Sequence, residues 1–211
     1  FGAQLRRSFD SAKAFAEQED IGGYDDRLLL KLTLREGALP PELEAIEGIS
    51  VVSQEDKTVI LAFANQRGLD AFEGKLATLV DSGTATRANI LFAIDGFDHW
   101  TPENRTGTAL REHGLPQRAT FLLDVELWPL ENPQQRTQLQ QSFVAWATEQ
   151  GIEVTDSLIY PSLVMVRVRT AANAVDLILN HRDVRTVDLP PRVGLDVNLL
   201  TADINQFPVV A

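Results

Sequence analysis

Thr120-Phe121-Leu122-Leu123-Asp124-Val125-Glu126-Leu127-Trp128 opens the stretch that decides the fold, and Val184-Arg185-Thr186-Val187-Asp188-Leu189-Pro190-Pro191 closes it. In the first run Phe121, Leu123, Val125 and Leu127 alternate with more polar neighbours, and Val164, Val166 and Val168 repeat the alternation further along. Successive side chains of a strand point to opposite faces, so each run predicts a strand with one buried face. Between them Leu139, Phe143, Trp146 and Ala147 recur at helical spacing. They predict a helix over Gln134–Gln150 that lays one apolar stripe on the sheet and stops at Gly151. Ala171, Ala174, Val175 and Ile178 predict a second helix of this kind before a last strand near 184–189. Strand, helix, strand, strand, helix, strand is the split βαβ, or ferredoxin-like, order.

The first half repeats the plan more loosely. Leu5, Phe9, Ala12 and Ala16 form the stripe of an opening helix, Gly22-Gly23 breaks it, and 27–34 reads as a strand. Ile49–Ser53 and Thr58–Ala64 flank the charged Glu55-Asp56-Lys57, which predicts a hairpin. Leu69, Phe72, Leu76 and Val80 predict a helix between Gly68 and Gly83, and 89–94 supplies a closing strand, with a short helix over 42–47. Thr101-Pro102 opens a connecting helix with proline at its first position, and Gly114-Leu115-Pro116 ends it. The expected fold is α+β: two ferredoxin-like (βαββαβ) domains in tandem, over 1–116 and 117–192, with an extended C-terminal tail over 193–211.

Bulk properties fit folded domains with cores. The chain has 211 residues, 44% of them hydrophobic, and a net charge of −11 shared by both halves. Neither half carries a basic face, so phosphate-driven nucleic-acid binding is not expected. The absence of cysteine excludes disulfides, thiolate chemistry and cysteine-bound zinc. No run approaches the roughly 20 apolar residues of a membrane span, so no membrane partner is expected. These features predict a cytoplasmic protein.

Phe121 to Trp128, the later Val187-Asp188-Leu189-Pro190-Pro191 and the polar tail behind them resemble the N-terminal region of bacterial subtilisin-like serine proteases, the subtilases, that carry a long non-catalytic segment before the protease domain. The resemblance is fuller in the second half than in the first. It implies a ferredoxin-like pro-region that packs its open sheet face on the subtilase catalytic domain, of the same precursor or in trans, and helps it fold. It also implies a C-terminal tail that lies in the substrate cleft as an inhibitor.

The chain also holds two fragments of the protease vocabulary. Leu79-Val80-Asp81-Ser82-Gly83 mimics the subtilase Asp motif and Glu112-His113-Gly114 its His motif. Asp81, however, follows a helical apolar repeat, and His113 sits in a last helical turn, where it complements the helix dipole. No Gly-Thr-Ser nucleophile follows, and a triad needs all three groups in mutual reach. No catalytic residue is therefore assigned. His99, His113 and His181 are isolated from other ligands, which favours surface or capping roles over metal binding. Asp95-Gly96-Phe97-Asp98 resembles half a calcium loop but lacks the bidentate Glu, so it reads as a turn. No metal or cofactor is expected.

What remains is a surface. In the ferredoxin-like order the first and third strands of the second domain are adjacent, with Leu122, Asp124, Glu126 and Trp128 beside Leu163, Met165, Arg167 and Arg169 on the face away from the helices. The register that matches charges pairs Asp124 with Arg167 and gathers Trp128, Leu163 and Met165 into an apolar cluster at one end, which with Leu122 forms the expected partner interface. Pro190 and Pro191 end the last strand and favour an extended course. Phe207, Pro208, Val209, Val210 and Ala211 then form either a linker or a peptide suited to a strand-adding groove. The rival to the subtilase pro-region is a free-standing regulatory or adaptor module that binds a protein or a small ligand. A gene that continues beyond Ala211 into Asp, His and Ser protease motifs would separate the two.

Overall fold

The computed structural model describes residues 1–19, 22–36, 43–45, 48–55, 58–63 and 66–191. Two four-stranded antiparallel sheets follow one another along the chain, each with its own core. Strands β1 (Leu28–Leu34), β2 (Ile49–Glu55), β3 (Thr58–Phe63) and β4 (Ile94–Asp98) form the first, in the order β2-β3-β1-β4. Strands β5 (Phe121–Leu127), β6 (Glu153–Tyr160), β7 (Leu163–Thr170) and β8 (Val184–Asp188) form the second, in the equivalent order β6-β7-β5-β8. The ferredoxin-like strand order expected from the sequence is present in both halves.

In the second unit Leu123, Val125 and Leu127 of β5 and Val164, Val166 and Val168 of β7 are fully buried, as the alternation demanded. They pack under helix α6 (Pro133–Glu149), whose Leu139, Phe143 and Ala147 are fully buried, and under α7 (Val175–Leu179). Asn132 caps α6 by accepting from the Gln134 N–H at 2.8 Å, Pro133 takes the first turn, and Gly151 ends it at φ 72°, a conformation costly for other residues.

In the first unit the opening helix α1 (Gly2–Glu19) buries Leu5, Phe9 and Ala12 against β4, β1 and helix α2 (Gln66–Ser82). Phe9 sits at the centre of an aromatic cluster, with ring centroids 5.2 Å from Phe97, 5.3 Å from Phe72 and 6.0 Å from Phe63. Of the helix expected over 42–47, the described residues hold one 3-10 turn, Leu43–Ala45.

Four local expectations are corrected. The closing strand is β4, not 89–94; residues 88–92 form a short helix, α3 (Ala88–Phe92). Ile90 and Leu91 are both buried while Phe92 is exposed, a pattern a helical turn permits and an alternating strand does not. Asp95-Gly96-Phe97-Asp98 consequently lies within β4 and is not a turn. The stripe of α2 ends on buried Leu79, and Val80 is exposed. The connecting helix is two pieces, α4 (Pro102–Arg105) and α5 (Thr108–His113), parted at Gly107 because this residue lies against Asp188. Both pieces pack on β8 and Leu110 enters the second core, so 102–113 goes with the second sheet and not with a first domain extending to 116. The tail at 193–211, including Phe207 to Ala211, lies outside the described residues.

Candidate functional site

The helices of the second unit cover one face of its sheet, and the other face carries the predicted surface. Cross-strand register sets it: Asp124 lies opposite Arg167, Leu122 opposite Arg169, and Glu126 opposite Met165. Arg167 grips Asp124 with both ends of its fork, at 2.6 and 2.9 Å, and this hydrogen bonding holds its guanidinium above the ordinary pKa. The ion pair read from the sequence is therefore in place. Glu126 is served from the other side, by Arg185 of β8 at 2.8 Å, and Arg169 turns to Glu153 of β6 at 3.5 Å.

The apolar end of the face differs from the expected cluster. Leu163 and Met165 are half-buried there, and β6 adds two exposed neighbours, since Leu158 lies opposite Met165 and Tyr160 opposite Leu163. Leu122 is half-buried at the opposite end, beside a cleft of about 770 Å³ lined by Arg118, Phe121, Leu122, Arg169, Leu189 and Pro190. Trp128 is not part of this surface. It is fully buried in the seam between the two units, its ring 5.5 Å from Trp100 with the Arg185 guanidinium 5.9 Å above it. The chain has left β5 by that point, where the β5–β8 ladder shifts register and the Trp128 N–H donates to the Asp183 carbonyl at 2.9 Å.

That seam also holds Asp183, which the sequence did not single out. The fully buried Asp183 accepts the N–H of Tyr24 at 2.7 Å and that of Asp25 at 2.9 Å, reaching from the second unit to the connection between α1 and β1. Gly23 makes the approach possible, because a Cβ there would stand 2.5 Å from the carboxylate. Asp25 in turn pairs with Arg27 at 2.7 Å. Burial pushes the Asp183 carboxyl up to about 6. His181, also buried and not at the surface, packs 4.4 Å from the Trp146 ring; burial first, and Arg105 and Arg182 next, bring its pKa down to about 4. Asp188 repeats the arrangement at the far end of β8, accepting from Leu110 N–H at 2.7 Å and Ala109 N–H at 3.2 Å beside Gly107. The only sequence signals for these two clasps were their glycines, and a glycine announces a close approach without naming what approaches.

Asp81 lies in α2 of the first unit, two residues before Gly83, and His113 ends α5 on the second, directly before Gly114, both glycines having positive φ. The geometry does not bring them together as parts of one site. Among the described residues no group of three His, Cys, Asp or Glu side chains is placed to hold a metal ion.

Comparison with known proteins follows the same division. Residues 1–101 match the family model of the Y4kK N-terminal domain and residues 104–189 that of the Y4kK central domain. Both halves match the Y4kK family. The break between the models falls at the start of α4, where packing also divides the units. The chain is 28% identical over 204 residues, 92% of its length, to "Uncharacterized protein y4kK" of Sinorhizobium fredii (strain NBRC 101917 / NGR234), and spans 65% of that relative's length. No solved structure matches the chain.

Proposed function

We propose that this chain is a non-catalytic, partner-binding region and, more narrowly, the N-terminal region of a subtilisin-like serine protease that assists folding of the catalytic domain and restrains it, in the cytoplasm. The observation that carries the reading is the open face of the second sheet. Leu158, Tyr160, Leu163 and Met165 gather there without helix cover, flanked by satisfied ion pairs that fix the sheet's shape. An uncovered apolar patch with a polar surround is the usual anatomy of a protein interface. The cleft beside Leu122 is also lined by Leu189 and Pro190, where the chain leaves the sheet. Among the described residues no helix is long and apolar enough to cross a membrane. The Y4kK relative extends beyond the matched length, which leaves room for a further domain in that protein.

Purified 1–211 is the reagent for the test, with a panel of bacterial subtilisin-like catalytic domains as partners. The reading expects slowed hydrolysis of a chromogenic peptide by at least one of them. Leu163→Asp with Met165→Asp abolishes binding, and deletion of 193–211 removes inhibition while binding persists. Unchanged binding by the doubly substituted face, or no binding to any catalytic domain, would overturn the proposal.

A further inference from the structure

The seam opens into a cleft of about 350 Å³ that draws its lining from both units. Strands β2 and β3 bring Ser53 and Thr58, helices α4 and α5 bring Asn104 and Arg111, and β8 brings Arg185 and Thr186. Trp100, packed edge-on against Trp128, supplies an apolar wall. Pockets for small molecules run from about 300 to 1,000 Å³, so this one suits a single small ligand. Its polar groups divide into those already used and those left over. Asp188 is used, since its carboxylate accepts the N–H groups of Ala109, Leu110 and Leu189. Arg185 is held by Glu126 at 2.8 Å and by the Ser53 hydroxyl at 3.2 Å. Asn104 Oδ1 accepts from Lys31 Nζ and from Thr101. Left over among the described residues are the side-chain amide N–H groups of Asn104 and the hydroxyls of Thr58, Thr108 and Thr186. The Arg111 guanidinium donates to the Thr106 carbonyl at 2.6 Å and pairs with no carboxylate among the described residues. A guanidinium offers five N–H donors in a fixed fork, so most of this one is unspent.

We propose that this cleft binds a small hydroxylated carboxylate of the sugar-acid class, with its carboxylate on Arg111, its hydroxyls on the threonines and Asn104, and the C–H face of its ring on Trp100. The surplus of donors selects an acceptor-rich ligand, because a hydrocarbon would strip water from these groups and return no hydrogen bond. Hydroxyl groups that both donate and accept match threonine hydroxyls that do the same. A single negative charge follows from the balance of ionised groups. One lining guanidinium lacks a carboxylate partner, and Arg–carboxylate pairing is bidentate and strong. A phosphate, carrying nearly two charges, would face the Asp188 carboxylate in the same lining with no second unpaired cation to offset it. A neutral sugar would use the hydroxyls and leave Arg111 unspent. The cleft shares no residue with the patch at Leu158, Tyr160, Leu163 and Met165, so it stands independently of the proposed protease partner.

Isothermal titration calorimetry on the full chain, with D-glucuronate as the probe and D-glucose as its uncharged counterpart, tests the assignment. Glucuronate binds with a Kd below about 1 mM and glucose at least about tenfold more weakly. Arg111 is exposed, so Arg111→Gln leaves the fold intact and weakens glucuronate by about tenfold or more, bringing it to the level of glucose. Thr186→Val weakens both ligands, since it removes a hydroxyl contact and no charge. Arg118→Gln, an exposed arginine outside the cleft, leaves both affinities unchanged. Circular dichroism and thermal unfolding establish that each variant is folded before it is titrated. Absence of glucuronate binding up to about 10 mM overturns the proposal. So does glucose binding as tightly as glucuronate, or an equal loss from Arg118→Gln and Arg111→Gln, which would reduce the effect to general charge.

Discussion

The two sheets share a strand order and differ in how they acquire their helices. In the second, α6 and α7 come from within the strand, helix, strand repeat and are tied to the sheet at both ends. In the first, the described residues between β1 and β2 hold one 3-10 turn, and α1, which precedes β1, lies against β4, β1 and α2. A sheet face needs apolar cover, but the cover can come from any part of the chain that presents a stripe of the right period. The consequence is an asymmetry in robustness. The first unit takes part of its cover from α1, which lies outside the strand, helix, strand repeat, beside α2 from within it, and the second takes its cover from helices within the repeat.

The largest effect should come from attacking α1. Phe9→Ala removes a fully buried ring from the aromatic cluster and should cost about 3–5 kcal/mol. Hydrogen exchange would show protection lost across β1–β4 and retained across β5–β8. Phe143→Ala, equally buried under the second sheet, should give the reverse map at a similar cost. Uniform loss in both units from either substitution would mean that the seam makes them one cooperative body, and the asymmetry would disappear.

The seam itself is probed by pH. Asp183 has a folded pKa near 6, above its unfolded value, so its contribution to stability is present below about 4 and is lost as pH rises through 6. His181 has a folded pKa near 4, below its unfolded value, so its contribution is present above about 6.5 and is lost as pH falls through 4. Each amounts to about 3 kcal/mol and the two slopes oppose one another. Chemical denaturation between pH 4 and 6.5 should therefore show little net dependence from this pair. His181→Phe should leave stability falling as pH rises over that window, and Asp183→Asn should leave it rising. Parallel slopes in the two variants would rule out the assignment.

On the open face the expected effects are smaller. Asp124→Ala breaks a cross-strand ion pair that is partly exposed, and should cost about 0.2–1 kcal/mol, with part of that loss already produced in the parent chain by high salt. A loss several times larger would place Asp124 in a buried network and would close the face as a docking surface.

Legibility followed the same division between repeating pattern and single contact. The alternation in β5 and β7 and the stripe of α6 each repeat over several residues, so strand order and the Asp124–Arg167 register could be read from them. In 88–98 two short elements share a few apolar residues, and no window is long enough to separate a helical turn from a strand. Continuing the parity of β5 beyond its end puts Trp128 on the open face, but the chain has left the strand there. Asp183 was not legible at all, because its partners are backbone N–H groups far away in sequence and no side-chain pattern records them.

The smallest effect is expected at the most deeply buried aromatic of the seam. Trp128 is fully buried, and its indole N–H has no hydrogen-bond partner among the described residues, whereas Trp100, packed edge-on against it, donates its indole N–H to the Arg185 carbonyl at 3.0 Å. By burial alone Trp128→Phe should be the more damaging of the two substitutions. Hydrogen bonding reverses the order. Removing the Trp128 N–H relieves an unsatisfied donor whose burial costs about 1–3 kcal/mol, and this offsets the cavity left by the lost ring. Removing the Trp100 N–H discards a made bond to the Arg185 carbonyl, adding a cost of about 0.5–1.5 kcal/mol to its lost packing. Trp128→Phe should therefore stay within about 1 kcal/mol of the parent in equilibrium denaturation, and Trp100→Phe should fall below it. If Trp128→Phe proves the costlier, its indole has an acceptor, such as an ordered water, and the seam between the two sheets is wetter than its side chains alone indicate.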